Sequence, residues 1–130
     1  MQVLLDTHVF LWLQSEPERL GEHLALVEDR RTELLVSAVS SWEIAIKHGL
    51  GRLALPDPPA RYVPERIRAI GATPVAIEHS HALAAAELPR LHRDPFDRLL
   101  VAQALAYDVP IMTADSLVAG YPIRSLLVGV

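Results

Sequence analysis

Short apolar runs set between longer stretches of helical period restrict this chain more than any other feature. Val3–Leu5, Leu34–Ser37, Thr73–Ile77, Ile111–Thr113 and Ser125–Val128 read as strands, leucine-rich or β-branched and apolar at successive positions. A strand apolar on both faces belongs in a parallel sheet covered on each side, whereas one that faces water alternates. Between these runs the spacing predicts helices over Val9–Gln14, Glu18–Arg30, Ser40–His48, Ala60–Ile70, His79–Leu88 and Pro95–Tyr107. Trp42, Ala45, Ile46 and Gly49 keep i, i+3, i+4, i+7 order, and Gly49 or Gly51 is placed to end that helix. Phe96, Leu99, Leu100, Gln103 and Ala104 form a second stripe behind Pro95, which suits a first helical position. Leu55-Pro56-Asp57-Pro58-Pro59 reads as an irregular loop, and Pro64 is expected to break or kink the helix after it. With no internal repeat, low-complexity tract or linker, the alternation predicts one α/β domain over residues 1–130. Its expected form is an αβα sandwich, a mostly parallel central sheet with helices on both faces.

Composition excludes several alternatives. At 51% apolar residues and a net charge of −4, the chain is too apolar to remain disordered. The absence of cysteine removes disulfides, thiolate zinc sites and cysteine nucleophiles together. Val3-Leu4-Leu5 stops at Asp6 without a basic leader, and the longest predominantly apolar stretch, Leu99–Tyr107, is far below the roughly 18 residues a membrane span requires. The expectation is a soluble, cytoplasmic protein with no membrane association. Sixteen acids against twelve bases argue, at first sight, against a nucleic-acid partner, whose phosphates call for a basic excess.

The placement of the acids changes that reading. In open α/β sheets ligands bind beyond the carboxyl ends of the strands. Asp6 follows the first predicted strand directly and Asp115 comes two residues after Thr113. Glu43 lies in the first turns of the helix leaving the second strand, and Asp94 and Asp97 open the helix at Pro95. If the strand order brings these segments together, at least four carboxylates converge on one rim, where a cation must compensate them. Oxygen donors without cysteine favour Mg²⁺ or Mn²⁺, and such sites suit in-line displacement at phosphate. Each acid also has an ordinary structural role. Asp6, Asp94 and Asp115 are suited to cap the helices that follow them, and Asp97 favours the positive end of a helix dipole. Glu43 can close a capping box with Ser40 or pair with Lys47. Caps scatter over both ends of a sheet, whereas these acids all lie where one rim can gather them.

At these residues the chain resembles the PIN-domain proteins, and among them the VapC-type toxin ribonucleases of bacterial and archaeal toxin–antitoxin pairs. The resemblance rests on Leu4-Leu5-Asp6-Thr7-His8, on Val36-Ser37-x-x-Ser40-x-Trp42-Glu43-Ile44, on His92-Arg93-Asp94-Pro95-Phe96-Asp97-Arg98 and on Thr113-Ala114-Asp115. The four segments fall in family order from residue 6 to residue 115. The resemblance implies Mg²⁺- or Mn²⁺-dependent endonucleolytic cleavage of RNA, a homodimer, and a cognate antitoxin that neutralises the enzyme. It places the catalytic and metal-ligating acids at Asp6, Glu43, Asp97 and Asp115, with Asp94 as an accessory. Ala114 departs from the pattern, since relatives often carry a polar residue there.

Around these acids, Thr113 and Thr7 are candidates to hydrogen-bond a carboxylate, and Ser37 and Ser40 read first as caps. His8 and His92 read as supporting or structural histidines rather than general bases. Arg98 is expected to pair with an acid, with phosphate contact as its lesser role. Lys47, Arg52, Arg90 and Arg93 are candidates for a rim that guides RNA, and Trp12 and Trp42 read as core or interface aromatics. A haloacid-dehalogenase-type phosphatase needs a second aspartate where His8 stands, and a receiver domain needs a lysine at its fifth strand, far from the sole lysine, Lys47. The remaining alternative is a PIN-fold RNA-binding or interaction module without activity, against which the intact set of costly acids argues. Setting Asp6, Glu43, Asp94, Asp97 and Asp115 aside leaves 11 acids against the 12 bases, so the negative excess is concentrated at one proposed site.

Overall fold

A computed structural model describes residues 1–129. It contains five strands, β1 (Gln2–Leu5), β2 (Glu33–Ser37), β3 (Thr73–Val75), β4 (Ile111–Thr113) and β5 (Ser125–Leu127), in one sheet of order β3-β2-β1-β4-β5. Every neighbouring pair is parallel. The chain builds outward from β1 in one direction through β2 and β3, then returns to lay β4 and β5 on the other side. The order therefore reverses between β1 and β4, where a doubly wound sheet opens a crevice at its carboxyl edge.

Two apolar layers account for the uniform strands. Val3, Leu5, Leu34, Val36 and Met112 pack into one core with Val9, Phe10, Ile44, Val63 and Ile67. Leu4, Leu35 and Ile111 pack into the other with Val39, Leu100, Val101, Ala104 and Val118. Successive strand residues point to opposite faces, so each must be apolar. The covering helices are α1 (Thr7–Ser15), α2 (Leu24–Glu28), α3 (Ala38–Gly49), α4 (Pro59–Ala69), α5 (His79–Glu87), α6 (Pro95–Tyr107) and α7 (Ser116–Ala119). No helix among the described residues is long and apolar enough to cross a membrane.

Local chemistry sets the boundaries, and several differ from the sequence reading. Glu18–Arg30 is not one helix: a 3₁₀ segment, Pro17–His23, turns at Gly21 (φ 54°, ψ −128°) before α2 begins. That conformation is outside the helical region and open to glycine without strain. Helix α3 starts earlier than Ser40 because Ser37 caps it, its hydroxyl accepting from the Val39 N–H at 3.0 Å. At its other end Gly51, in the left-handed region, closes a pair of bonds from Gly51 N to His48 O and from Arg52 N to Lys47 O. Helix α4 runs through Pro64 without the break that was one of the two expected outcomes; one missing N–H costs a hydrogen bond, and burial of Val63 and Ile67 on either side holds the turn. Strand β3 stops at Val75, short of Ile77.

Candidate active site

Three of the five acids are helix caps and cleft residues at the same time. Asp6 ends β1 and caps α1, its Oδ1 accepting from the Thr7 N–H at 2.6 Å. Asp94 caps α6 through Oδ1 and the Phe96 N–H at 2.8 Å. Asp115 follows β4 and caps α7 through Oδ1 and the Leu117 N–H at 2.8 Å. Since a carboxylate has two oxygens, capping leaves the second one directed elsewhere. A cleft of about 390 Å³ is lined by Asp6, Glu43, Asp94, Asp97 and Asp115 with His8, Trp12, Ala114 and Ser116. All five acids singled out in the sequence thus face one space, at the carboxyl ends of β1 and β4.

The charges are costly where they stand. Asp6 is 4% exposed and Glu43 2%. Burial pushes the Asp6 carboxyl up, opposed by hydrogen bonds from Thr113 and the Thr7 N–H. Asp97, on the first turn of α6, is pushed up to about 8 by burial and then by the negative charges of Asp6, Asp94 and Glu43, with His92 opposing. Glu43 gives Oε2 to the Lys47 ammonium across one helical turn, while its buried Oε1 has no hydrogen-bond partner. A buried carboxylate oxygen without a partner beside like charges calls for a compensating group, and the five acids offer hard oxygen donors.

Thr113 ties the two strand ends together. Its hydroxyl donates to Asp6 Oδ2 at 2.6 Å and accepts from the Asp115 N–H at 3.0 Å. The Thr7 hydroxyl, by contrast, bonds no carboxylate; it donates to Ser40 Oγ at 2.9 Å. Ser40 accordingly lies inside α3 and is not a cap, and Glu43 closes no capping box with it.

His92 has a more central position than its sequence context suggests. Its Nε2 lies 2.7 Å from Asp115 Oδ2 and 3.0 Å from Asp97 Oδ2, so these three side chains form a group with ligating atoms within 4.8 Å of one another. The Asp94 N–H points at Nδ1 (3.0 Å), which holds the ring as the tautomer with its proton on Nε2. In that form His92 donates to Asp115 Oδ2, with Asp97 Oδ2 close by at 3.0 Å. Burial works against a charged ring, but the hydrogen bond to Asp115 and the charges of Asp97, Asp115 and Asp94 raise its pKa overall. Asp115 moves the other way: burial raises it, and the His92 and Leu117 hydrogen bonds take it below the usual range.

Arg98 corrects an expectation. Among the described residues it pairs with no acid; its guanidinium donates to the carbonyls of Ala85, Leu88, Pro89 and His92 at 2.8, 3.0, 3.1 and 3.4 Å. Four carbonyls clamped from the first turns of α6 fix the α5–α6 loop, which carries His92 and Asp94. Trp42 is 55% exposed and touches Phe96 edge-on, so it is not a core residue. Trp12 packs on the core, walls the cleft, and lies under the Arg19 guanidinium, 4.8 Å from the ring centroid. Gly129 closes on the Trp12 ring, where a Cβ would lie 2.9 Å away. The four expected rim cations fall in two places, Lys47 and Arg52 beside Thr7 and His8, and Arg90 and Arg93 on the α5–α6 loop.

The fold and the acid-lined cleft at its switch point define a class, and sequence comparison agrees: the PIN domain family matches residues 3–120, and the chain belongs to that family. Among its relatives, Ribonuclease VapC22 of Mycobacterium tuberculosis (strain ATCC 25618 / H37Rv) is 34% identical over 117 residues, covering 87% of this chain and 86% of that protein. Ribonuclease VapC16 of the same organism is 45% identical over 64 residues, which is 49% of this chain and 45% of VapC16; the match thus spans under half of that relative's length. Of solved structures, VapBC2 from Rickettsia felis bound to a promoter DNA fragment aligns with a TM-score of 0.74 at 13% identity, covering 98% of this chain and 99% of the other. DNA-bound VapBC from Salmonella typhimurium aligns at 0.65 and 19% identity over 97% of each chain. At such identities the structural matches establish the fold.

Proposed function

We propose that this chain is a Mg²⁺- or Mn²⁺-dependent endoribonuclease, the toxin of a type II toxin–antitoxin pair, acting as a homodimer and neutralised by a cognate antitoxin. One observation carries the reading: five carboxylates from four separate segments line a single cleft, with Asp97 raised to about 8 and Glu43 Oε1 buried without a partner. A protein bears such repulsion where a cation or a reaction uses it. The relatives named Ribonuclease VapC support RNA as the substrate class, and the VapBC complexes support a protein partner.

Asp6, Asp97 and Asp115 would hold the cation, with Glu43 completing the site. Bound there, a hard divalent ion neutralises the acids, lowers the pKa of water and stabilises charge on phosphate oxygens. The chain's own residues do the rest. Thr113 aims the Asp6 carboxylate by donating to Oδ2, and the Thr7 N–H fixes its other oxygen, so the ligand is held before any cation arrives. Lys47 neutralises one oxygen of Glu43 and leaves the buried second one without a hydrogen-bond partner. His92, with its proton on Nε2, keeps Asp97 and Asp115 at a fixed separation. Ala114 offers no polar atom, so binding at that wall comes from the backbone and from Ser116.

The test incubates antitoxin-free protein with structured RNA and Mg²⁺ beside an Asp6→Asn variant. Cleavage by the wild type alone is expected; equal cleavage by both, or none by either across a broad RNA panel, contradicts the proposal and favours an inactive binding module.

A further inference from the structure

Beside the acid cleft lies a cavity of opposite character. It encloses about 690 Å³ and is lined by Arg90, Arg93, Arg98, His92 and Ala86, with no carboxylate in its wall. His92 lines the arginine cavity and its Nε2 bonds Asp115 in the wall of the acid cleft at 2.7 Å, so its ring stands between a region that attracts anions and one that repels them. The three arginines are not equivalent. Arg98 is spent on loop carbonyls and frames the pocket. Arg90 and Arg93 are exposed, and the arginine and lysine ion pairs of the described residues involve Arg19, Arg31, Lys47, Arg61 and Arg124 instead. Two guanidiniums without a carboxylate, on a loop clamped at three of its carbonyls, present forked donors of the kind that suit phosphate oxygens. Loop rigidity matters because a contact that must first order its own backbone returns little affinity.

We propose that Arg90 and Arg93 form a phosphate-binding subsite that holds the RNA backbone at a phosphate neighbouring the scissile one; the proposal rests on the ribonuclease reading of the adjoining cleft. The strand passes over His92, with the scissile phosphate among the acids and the neighbouring phosphate in the arginine pocket. Such contacts carry no sequence information and set register and affinity. A single-stranded path is favoured over an acidic protein segment because the pocket opens beside the site where the RNA is cut.

The experiment measures binding of fluorescently labelled single-stranded RNA to the Asp6→Asn protein in EDTA, over a series of salt concentrations, by anisotropy. Arg90→Ala/Arg93→Ala is compared with Arg30→Ala/Arg31→Ala, which removes the same charge beyond the opposite, amino end of the sheet. The pocket pair is expected to weaken binding about tenfold at low salt, equally for RNAs of different sequence, and to reduce the salt slope by about 0.7 for each lost phosphate contact. Arg90→Lys/Arg93→Lys is expected to recover part of the affinity. Equal losses in both double variants, or an unchanged slope in the pocket pair, overturns the proposal, and so does poly-glutamate competing as well as RNA. The two readings fail separately. RNA bound through Arg90 and Arg93 but left uncut by the wild type with Mg²⁺ removes only the nuclease; cutting by Arg90→Ala/Arg93→Ala at unchanged KM removes only the subsite.

Discussion

The two ends of the sheet treat acids in opposite ways. At the amino end, beyond the start of β2, Asp29 is bound by the Arg31 guanidinium through both oxygens and by the Arg31 N–H, which lower its pKa, and the Glu33 carboxylate accepts from Gln2 and Thr73. These groups lie at the surface, each with its own partner. At the carboxyl end Asp6 and Glu43 are buried beside the half-buried Asp97, and the basic groups near them are Lys47, His92 and His8. Composition is the same at both ends; environment differs. Folding gains little from the carboxyl-end acids as a group, and their charge makes sense as preparation for a ligand of opposite sign.

That contrast can be broken first by activity. Asp6→Asn and Glu43→Gln are each expected to lower RNA cleavage by about a thousandfold or more, the cost of several kcal/mol of lost transition-state charge stabilisation. Glu33→Gln, at the other end, is expected to leave the rate unchanged. Thr113→Val removes the donor to Asp6 Oδ2 without altering side-chain shape and is expected to cost about 10- to 100-fold in activity or Mg²⁺ affinity, read from initial rates across Mg²⁺ concentrations.

Smaller effects concern stability. Asp97 binds its proton more tightly in the folded state, at about 8 against an ordinary value of 3.8, so the folded protein carries more bound protons between those values and loses stability as pH rises through them. His92, also raised, acts in the same direction above its ordinary value, whereas the lowered Asp115 contributes stability above its ordinary value that is lost on acidification. In EDTA, thermal scans from pH 5 to pH 8 are expected to show Tm falling by about 5 °C, and Mg²⁺ is expected to flatten the profile. Smallest of all, Asp97→Asn is expected to raise the Tm of the metal-free protein at pH 8, while Asp29→Asn leaves it nearly unchanged.

The legible part of the molecule was the part written in periodicity. Both-face apolar runs located all five strands, and the acids could be placed because each follows a strand or opens a helix. Capping and site roles looked like rival explanations of Asp6, Asp94 and Asp115; in the structure each caps its helix through Oδ1 and still lines the cleft, so the one role does not exclude the other. What the chain concealed lies in irregular backbone. The turn at Gly21 interrupts a helical pattern that continues in the side chains. Arg98 clamps three carbonyls of a loop whose path no periodicity describes and one of α5, so an acid partner was the natural expectation. The place of His92 between Asp97 and Asp115 depends on a 23-residue separation closed only by the β4 position; its one signal was its location two residues before a capping aspartate.

The claim at the centre is that the carboxyl-end acids form a cation site, and a crystal soaked in Mn²⁺ tests it most directly through anomalous diffraction. An anomalous peak coordinated by Asp6, Asp97 and Asp115, and lost in Asp6→Asn crystals, is the predicted result. Crystals that diffract well and show no peak in that cleft, or a peak held only by surface carboxylates elsewhere, would contradict it.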